Sequence, residues 1–468
     1  MRVRSDHDLK VIYAGVTALV AICQFLYIVD FTVTNVALAS IGTGFNISPG
    51  MLSWVMSSCY LAYAGLLVLA GKVSDVYGRR LPCMFGLCCF GAGSFLAFLS
   101  PNFPILATAR GMEGIGCAFM VPTTFSLITV ELPEGRLRHR AFAVYGLTAG
   151  FALLFGLGLG GAVTTHFGWR SVFLLNLLPT ILGLVLTWRF IPVRQRSTTK
   201  PKIDAAGAVL LTIAVALILF SLSEIGSKGL HSEGALIGLA CAAVSFTAFI
   251  FLERRLKEPL LPFTIFSYAN LLGANLACVT VAASTGATLV LLNLYMQQVM
   301  HFTAMRSAIA TIPYAVAQMI TGHLLKGAMA RFHLRVTIFT GTIGMVIGAG
   351  ALSIGTLSPN YLTSVVPAII IYAIGSIMAS VTVMALSVSG APTDRQGITT
   401  GVLITFQQIG LVLGVSLCLT VLNAALTEGL SEPEAFRRSF MSAALLAASG
   451  LVFVVLLTRS PNKISVTT

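Results

Sequence analysis

Two carboxylic acids and one guanidinium group lie deep within long apolar segments of the sequence. Asp30 occurs in the apolar segment 11–41, and Arg110 and Glu113 occur in the apolar segment 103–128. Charged groups in such segments are costly, and by default they indicate ion or proton pathways. Because Arg110 precedes Glu113 by three residues, both side chains project from one face of a helix. The pattern predicts a buried cluster that binds and releases a proton.

A proton site needs a carboxyl group whose charged and neutral forms are close in free energy. Burial favours the neutral form and a nearby cation favours the ionised form, so Arg110 opposes the effect of burial. The residues leave open whether Asp30 or Glu113 takes the proton. The alternative, an ion pair that only joins two helices, is disfavoured because of its cost. No acid lies between Glu258 and Asp394, so any coupling is expected in the first half of the chain.

The elements that carry these groups follow from composition. The chain has 468 residues, of which 56% are hydrophobic and 10% are charged, and its mean hydropathy is +0.91. A soluble domain carries about 25% charged residues, so a soluble enzyme is excluded. A helix needs about 20 apolar residues to cross a bilayer, and fourteen segments meet that length. The predicted spans are 11–41, 51–70, 81–100, 103–128, 141–164, 170–190, 204–225, 233–253, 268–298, 304–326, 334–357, 361–386, 398–425 and 439–458.

The net charge of +13 is interpreted as membrane topology rather than nucleic-acid binding. With a cytoplasmic N-terminus, most of the 29 Lys and Arg residues fall in loops on the inner side, as the positive-inside rule requires. The basic residues of the predicted outer loops are Lys228, Arg306, Arg437 and Arg438. We therefore predict a multi-pass protein of the cell membrane with both termini in the cytoplasm.

The spans divide into six, two and six. The basic segment 193–203 follows the sixth span, and the charged segment 253–262 precedes the ninth. We predict an N-terminal six-helix bundle at 11–192, a linker region with two extra helices at 193–262, and a C-terminal six-helix bundle at 263–458. Two halves of equal helix count are typical of transporters built from structural repeats. The expected fold class is an all-α integral membrane protein.

The segment GKVSDVYGRR, residues 71–80, is the most specific motif. Gly71 and Gly78 are expected to permit a tight turn between the second and third spans. Asp75 is expected near the start of the third span, where the helix dipole favours a carboxylate, and Arg79 and Arg80 add cytoplasmic charge. We predict that this segment is a gating loop.

On these motifs the chain resembles the major facilitator superfamily and, within it, the fourteen-span drug/proton antiporter branch. Segment 71–80 resembles the signature loop of the superfamily, 29–38 the first-span motif of the branch, and 110–116 its span-four proton-relay motif. The resemblance implies two six-helix bundles and proton-coupled drug export, with proton coupling at Asp30, Arg110 and Glu113. Other similar segments are 169–176, 295–297 followed by Pro313, and 397–414 with Gly401, Gln408 and Gly410.

Two positions depart from the branch pattern. Glu113 stands where the span-four motif usually has Gln, which adds an acid. A second motif of the branch, the span-five antiporter motif, normally has Gly-Pro before a Gly-Gly, and here Leu157 stands in place of that proline within the segment 156–161, GLGLGG. Export of one dedicated metabolite, such as a siderophore, therefore remains an alternative to drug export.

A substrate cavity is expected among uncharged polar residues, within a chain that has 29 Phe and 15 Met to supply an adaptable apolar surface. Each polar residue taken singly is also a candidate for an interhelical hydrogen bond. The predicted cavity residues are Asn35, Asn176, Tyr295, Gln297, Gln298 and Gln408.

These observations together predict a secondary active transporter that works by alternating access. The leading prediction is proton-coupled export of small amphiphilic molecules, and import is the alternative for the direction of transport. A membrane-embedded enzyme is disfavoured because no His, Asp or Cys cluster marks one membrane face, and a channel because no charged ring or filter loop is visible. We expect no metal or cofactor. The expected partners are a small organic substrate, protons and the bilayer, with a periplasmic adaptor and outer-membrane channel possible, no nucleic acid, and a monomeric state.

Overall fold

The described residues of the chain are almost entirely helical. The computed structural model describes residues 6–131, 136–191, 205–228, 232–256, 271–331, 334–358, 360–388 and 396–457, and these contain no β-strand. A 3-10 helix, Trp169–Asn176, precedes α6, and a π-helix, Tyr361–Val365, precedes α12. The α-helices are α1 Asp6–Phe45, α2 Pro49–Tyr77, α3 Arg80–Leu99, α4 Phe103–Glu131, α5 Arg136–Phe167, α6 Leu177–Phe190, α7 Ala205–Lys228, α8 Glu233–Glu253, α9 Leu271–Gln298, α10 Ala304–Arg331, α11 Leu334–Gly355, α12 Val366–Val388, α13 Gln396–Thr427 and α14 Glu432–Leu457.

Each of the predicted spans overlaps helical structure; the sixth, 170–190, covers the 3-10 helix and α6, and the twelfth, 361–386, covers the π-helix and α12. Among the described residues, eleven helices are long and apolar enough to cross a membrane, and two shorter apolar stretches, 51–67 and 206–222, lie in α2 and α7. In a bilayer the helix satisfies every backbone hydrogen bond within one segment, so apolar segments of this length fold as helices. The all-α membrane fold is confirmed, and the count of fourteen crossings stays a prediction.

The two six-helix halves use the same packing scheme. In the first half α1 packs on α5 and α3 on α4, and in the second half α9 packs on α13 and α11 on α12. Glycine permits the close contact of α3 with α4 and of α11 with α12. A Cβ at Gly86 would lie 2.8 Å from the Gly116 carbonyl oxygen, and a Cβ at Gly341 would lie 2.7 Å from the Ala379 nitrogen. Small residues at helix contacts let membrane helices approach closely. The repeat is therefore present in packing, although the two halves share little sequence.

The two central helices are not equivalent in their surroundings. Helix α7 packs against α2, α13 and α8, and so it touches both bundles. A cluster of buried apolar residues joins it to them, including Tyr60 of α2, Leu211 of α7 and Val412 of α13. Helix α8 packs mainly on α7, and large apolar side chains such as Ile237 and Val244 are exposed on it.

The predicted gating loop is much shorter than residues 71–80. Helix α2 continues to Tyr77 and α3 begins at Arg80, so Gly78 and Arg79 alone form the turn. Gly78 has φ +81° and ψ 168°, a conformation essentially restricted to glycine. Gly71 lies within α2, and the expectation that it forms part of the turn is wrong because one residue of positive φ is sufficient here. Asp75 also lies within α2, and its side chain is outside the described part of the structure.

Candidate functional site

The three charged groups singled out in the sequence meet in the first bundle. From its Nη1 atom, Arg110 donates to both carboxylate oxygens of Asp30, at 2.8 and 2.9 Å, and also to Oε2 of Glu113. The exposed fractions of Asp30, Arg110 and Glu113 are 3%, 1% and 0%. Helices α1 and α4 therefore bring one cation and two acids into a single buried cluster, as the sequence predicts.

The arginine is held from two further sides. Its Nε atom donates to the backbone carbonyl of Val55 on α2 at 3.1 Å. The ring of Phe173 lies with its centre 5.9 Å from the guanidinium carbon, within the range of a cation–π contact. Because several planar donors are engaged at once, the site exploits the rigid fork of arginine in a way that lysine does not reproduce.

A second path of hydrogen bonds joins the two acids through Ser94 and Asn176. Ser94 Oγ donates to Glu113 Oε1 at 2.5 Å. Asn176 Nδ2 donates to Asp30 Oδ1 at 3.0 Å and to Ser94 Oγ at 3.2 Å. Asn176 was predicted as a cavity residue, and the structure places it in this network. Ser94 escaped sequence reasoning, and its only signal is a hydroxyl in an otherwise apolar third span.

The acids of the cluster outnumber its cation. With every group ionised, Asp30 and Glu113 carry two negative charges against one positive charge on Arg110, and one added proton makes the cluster neutral. An uncompensated charge is expensive away from water. Asn176 Oδ1 is buried and accepts no hydrogen bond from the described residues. The cluster therefore holds one acid more than Arg110 can neutralise, and Asn176 adds a buried acceptor without a partner among the described residues.

Glycines bring the helices close enough to build the cluster. A Cβ at Gly93 of α3 would lie 2.8 Å from the Ala109 carbonyl oxygen and 2.9 Å from Glu113 Cγ. A Cβ at Gly114 of α4 would lie 2.2 Å from the Cys59 carbonyl oxygen of α2. Since real side chains do not tolerate such distances, both positions require glycine. These contacts hold α4 against α2 and α3, where Arg110 reaches its partners.

The other predicted cavity residues do not form one group. Asn35 and Gln408 are buried, and Asn35 Oδ1 and Gln408 Oε1 have no hydrogen-bond partner among the described residues. Tyr295 packs inside the second bundle, with its ring centre 5.6 Å from Phe436 and 6.2 Å from Phe440. Among the described residues the Tyr295 hydroxyl also has no hydrogen-bond partner, although its ring belongs to an aromatic core.

Gln297 connects the two bundles. Its Nε2 atom donates to the Val36 carbonyl oxygen of α1 at 3.0 Å, and the neighbouring Gln298 is the last residue of α9. A second connection lies between α5 and α10, where the backbone nitrogen of Met305 donates to Thr165 Oγ1 at 3.1 Å. Thr165 thus satisfies one of the free N–H groups that begin α10. Both connections join the first half of the chain to the second.

Comparison with known proteins agrees with this architecture. Residues 20–415 match the model of the Major Facilitator Superfamily. The lincomycin resistance protein of Streptomyces lincolnensis is 30% identical over 453 residues, which cover 95% of this chain and 90% of that protein. The cephamycin export protein CmcT of Amycolatopsis lactamdurans is 29% identical over 410 residues, which cover 86% of this chain and 84% of that protein.

A solved structure supports the fold independently. A bacterial homologue of the human lysosomal transporter Spinster, in an inward-facing and unoccupied conformation, aligns with a TM-score of 0.69 and 17% identity. The alignment covers 96% of this chain and 99% of that one. At this identity the likeness shows the fold alone. The helical architecture, the family model and the curated relatives identify a membrane transporter rather than an enzyme, and the chain belongs to the major facilitator superfamily.

Proposed function

We propose that the protein exports small amphiphilic organic molecules, including drugs, in exchange for protons. The names of the relatives point to resistance and export. The observation that carries the proton step is the simultaneous contact of Arg110 with Asp30 and Glu113 in a buried site. Since the cluster has one acid more than it has cations, it can exchange one proton without leaving an unpaired cation.

The proposed coupling runs through α1. Asp30 and Val36 lie on this helix about 6 residues apart, or about 9 Å along its axis. Protonation of Asp30 weakens its contact with Arg110, while Val36 meets Gln297 of the other bundle. A shift of α1 on protonation therefore changes a contact between the bundles. In alternating access, such rocking of one bundle against the other exposes the substrate site to each side in turn.

The roles of the two acids are proposed to differ. Asp30 is the coupling residue, because it contacts Arg110 and lies on α1, the helix whose Val36 carbonyl oxygen meets Gln297 of the second half. Glu113 is auxiliary, because Gln is usual at this position in the branch that the chain resembles. Glu113 then tunes the pH range of transport or the substrate charge that the protein accepts.

Transport by purified protein in proteoliposomes with an imposed pH gradient tests this proposal. In Asp30→Asn the rate of gradient-driven transport should fall by at least about tenfold, which corresponds to about 1.4 kcal/mol of activation free energy. This variant should still bind the substrate or equilibrate it passively. Glu113→Gln should keep a substantial part of the coupled rate. Glu428→Gln is the matched control, because Glu428 forms an exposed ion pair with Arg438. Full coupled activity in Asp30→Asn would refute the assignment.

A narrower function, export of a single metabolite, is the second candidate. Leu157 replaces the usual proline, it is buried, and α5 runs unbroken from Arg136 to Phe167. A panel of unrelated amphiphilic compounds, with a siderophore among them, separates the two functions. Transport of several unrelated compounds supports the multidrug function, and transport of one compound alone supports the dedicated exporter.

A further inference from the structure

An open groove lies on the surface of the two central helices. It has a volume of about 760 Å³ and runs along α8 beside α7. As far as the described residues line it, its walls are apolar except at one end, where Arg255 is the charged side chain. The lining residues are Leu210, Ala243, Val244, Thr247, Ala248, Phe251, Leu252 and Arg255.

Thr247 supplies the hydroxyl among the described lining residues, and its hydrogen-bonding capacity is already used within its own helix. Thr247 Oγ1 donates to the Ala243 carbonyl oxygen of its own helix at 2.7 Å. Ser245 Oγ donates to the Leu210 carbonyl oxygen of α7 at 2.8 Å, which ties the two helices together beside the groove. The groove therefore offers hydrocarbon contact and no free polar group along most of its length. Such a surface suits an acyl chain.

The charged end of the groove lies just beyond the end of α8. Arg255 follows the last residue of α8, Glu253, by two positions, and its guanidinium carbon lies 4.8 Å from the centre of the Phe251 ring. From Ala243 to Arg255 the groove extends over about 12 residues, or about 18 Å of helix. One leaflet contributes about 15 Å to the hydrocarbon core of a bilayer. The distance from Arg255 to the far end of the apolar groove is thus about the thickness of one leaflet.

We infer that this groove binds an anionic phospholipid, with one acyl chain against Ala243 and Ala248 and the headgroup phosphate on Arg255. Charge complementarity selects the occupant, because arginine binds phosphate oxygens directly and basic residues at the end of a membrane helix attract anionic headgroups. The site lies on the two helices that are additional to the six-helix bundles, and it does not depend on the transport function proposed above.

Native mass spectrometry of the full-length protein tests the site. The protein is delipidated in mild detergent and incubated with phosphatidylglycerol or phosphatidylcholine that carry the same acyl chains. We expect preferential retention of phosphatidylglycerol. Arg255→Gln should lower that retention by about fivefold, the effect of one basic residue near a headgroup, and Arg255→Lys should restore most of it. Arg254→Gln is the matched control, since Arg254 is equally basic and exposed but does not line the groove.

A second variant separates the chain contact from the headgroup contact. Ala248→Phe fills the groove and should reduce retention of both lipids while the thermal unfolding temperature stays near that of the parent protein. Equal retention of the two lipids by the parent protein would overturn the inference, and so would equal losses in Arg255→Gln and Arg254→Gln. A protein dimer that disappears in Ala248→Phe would assign the groove to a second copy of the chain and would also overturn it.

Discussion

One nitrogen atom of Arg110 lies within hydrogen-bonding distance of both carboxylate oxygens of Asp30, at 2.8 and 2.9 Å, across 80 positions of sequence. The same atom also contacts Glu113. Loss of the Asp30 charge therefore changes the balance of forces on the arginine and, through it, on the second acid. The three side chains therefore form one hydrogen-bonded unit, in which a change at one position alters the contacts of the other two.

Arg110→Lys tests whether charge alone is sufficient. Lysine keeps the positive charge but has no counterpart of the Nε donor that binds the Val55 carbonyl oxygen. We expect gradient-driven transport to fall by at least about tenfold, measured in proteoliposomes. Arg438→Lys should transport normally, because the Arg438 side chain is 53% exposed and exposed pairs contribute little. Normal transport by Arg110→Lys would show that the fixed geometry of the arginine is unnecessary.

Gly93→Ala tests the close contact of α3 with α4. The added Cβ would meet the Ala109 carbonyl oxygen at 2.8 Å, and overpacking of this kind costs about 1–3 kcal/mol. A lower unfolding temperature and weaker transport should result. Gly111→Ala on α4 is the control, because its Cβ meets nothing within 4 Å, and alanine is the better helix former. Equal stability of the two variants would contradict the packing account.

Gly78→Ala and Gly71→Ala distinguish the turn from the helix. Gly78 has φ +81°, so alanine there should destabilise the protein by about 1–3 kcal/mol. Gly71 lies inside α2 with open space around its Cβ, and alanine there should be neutral or stabilising. Thermal unfolding and transport assays check both variants. A greater loss at Gly71 than at Gly78 would restore the longer loop predicted from the sequence.

Gln297→Leu tests the connection between the two bundles. Removal of the hydrogen bond to the Val36 carbonyl oxygen should increase amide hydrogen exchange at the ends of α1 and α9. Gln298→Leu removes a neighbouring glutamine and serves as the comparison. If exchange is unchanged in Gln297→Leu, or rises equally in both variants, the contact does not hold the bundles together.

Single cysteines in a cysteine-free background test the predicted topology. Substitutions at Gly44 and Ser358 should react with an impermeant thiol reagent from outside intact cells. Those at Ser197 and Thr467 should react only after permeabilisation, because most of the basic residues lie in the loops assigned to the cytoplasm. Labelling of Ser197→Cys in intact cells would break the fourteen-span arrangement.

Local chemistry explains what could be predicted from the sequence. The membrane class and the helices follow from apolar segments of sufficient length, and Asp30, Arg110 and Glu113 were recognisable because charged groups in such segments are costly. The overlap of each predicted span with helical structure reflects the same local rule, since a helix satisfies its backbone hydrogen bonds within its own segment. These properties require no knowledge of which helices pack together.

Tertiary packing decided the rest. Asn176 and Asp30 are separated by 146 positions, and Asn176 joins the acid cluster because the 3-10 helix before α6 packs beside α1. Gln297 donates to the Val36 carbonyl oxygen across 261 positions, a contact that the sequence did not predict. Hydropathy and periodicity describe neighbours along one helix, whereas these contacts depend on how closely glycines let different helices approach. The hydrogen-bond partners of each polar side chain therefore depend on which helices pack together in the folded protein. The sequence around that side chain does not determine them.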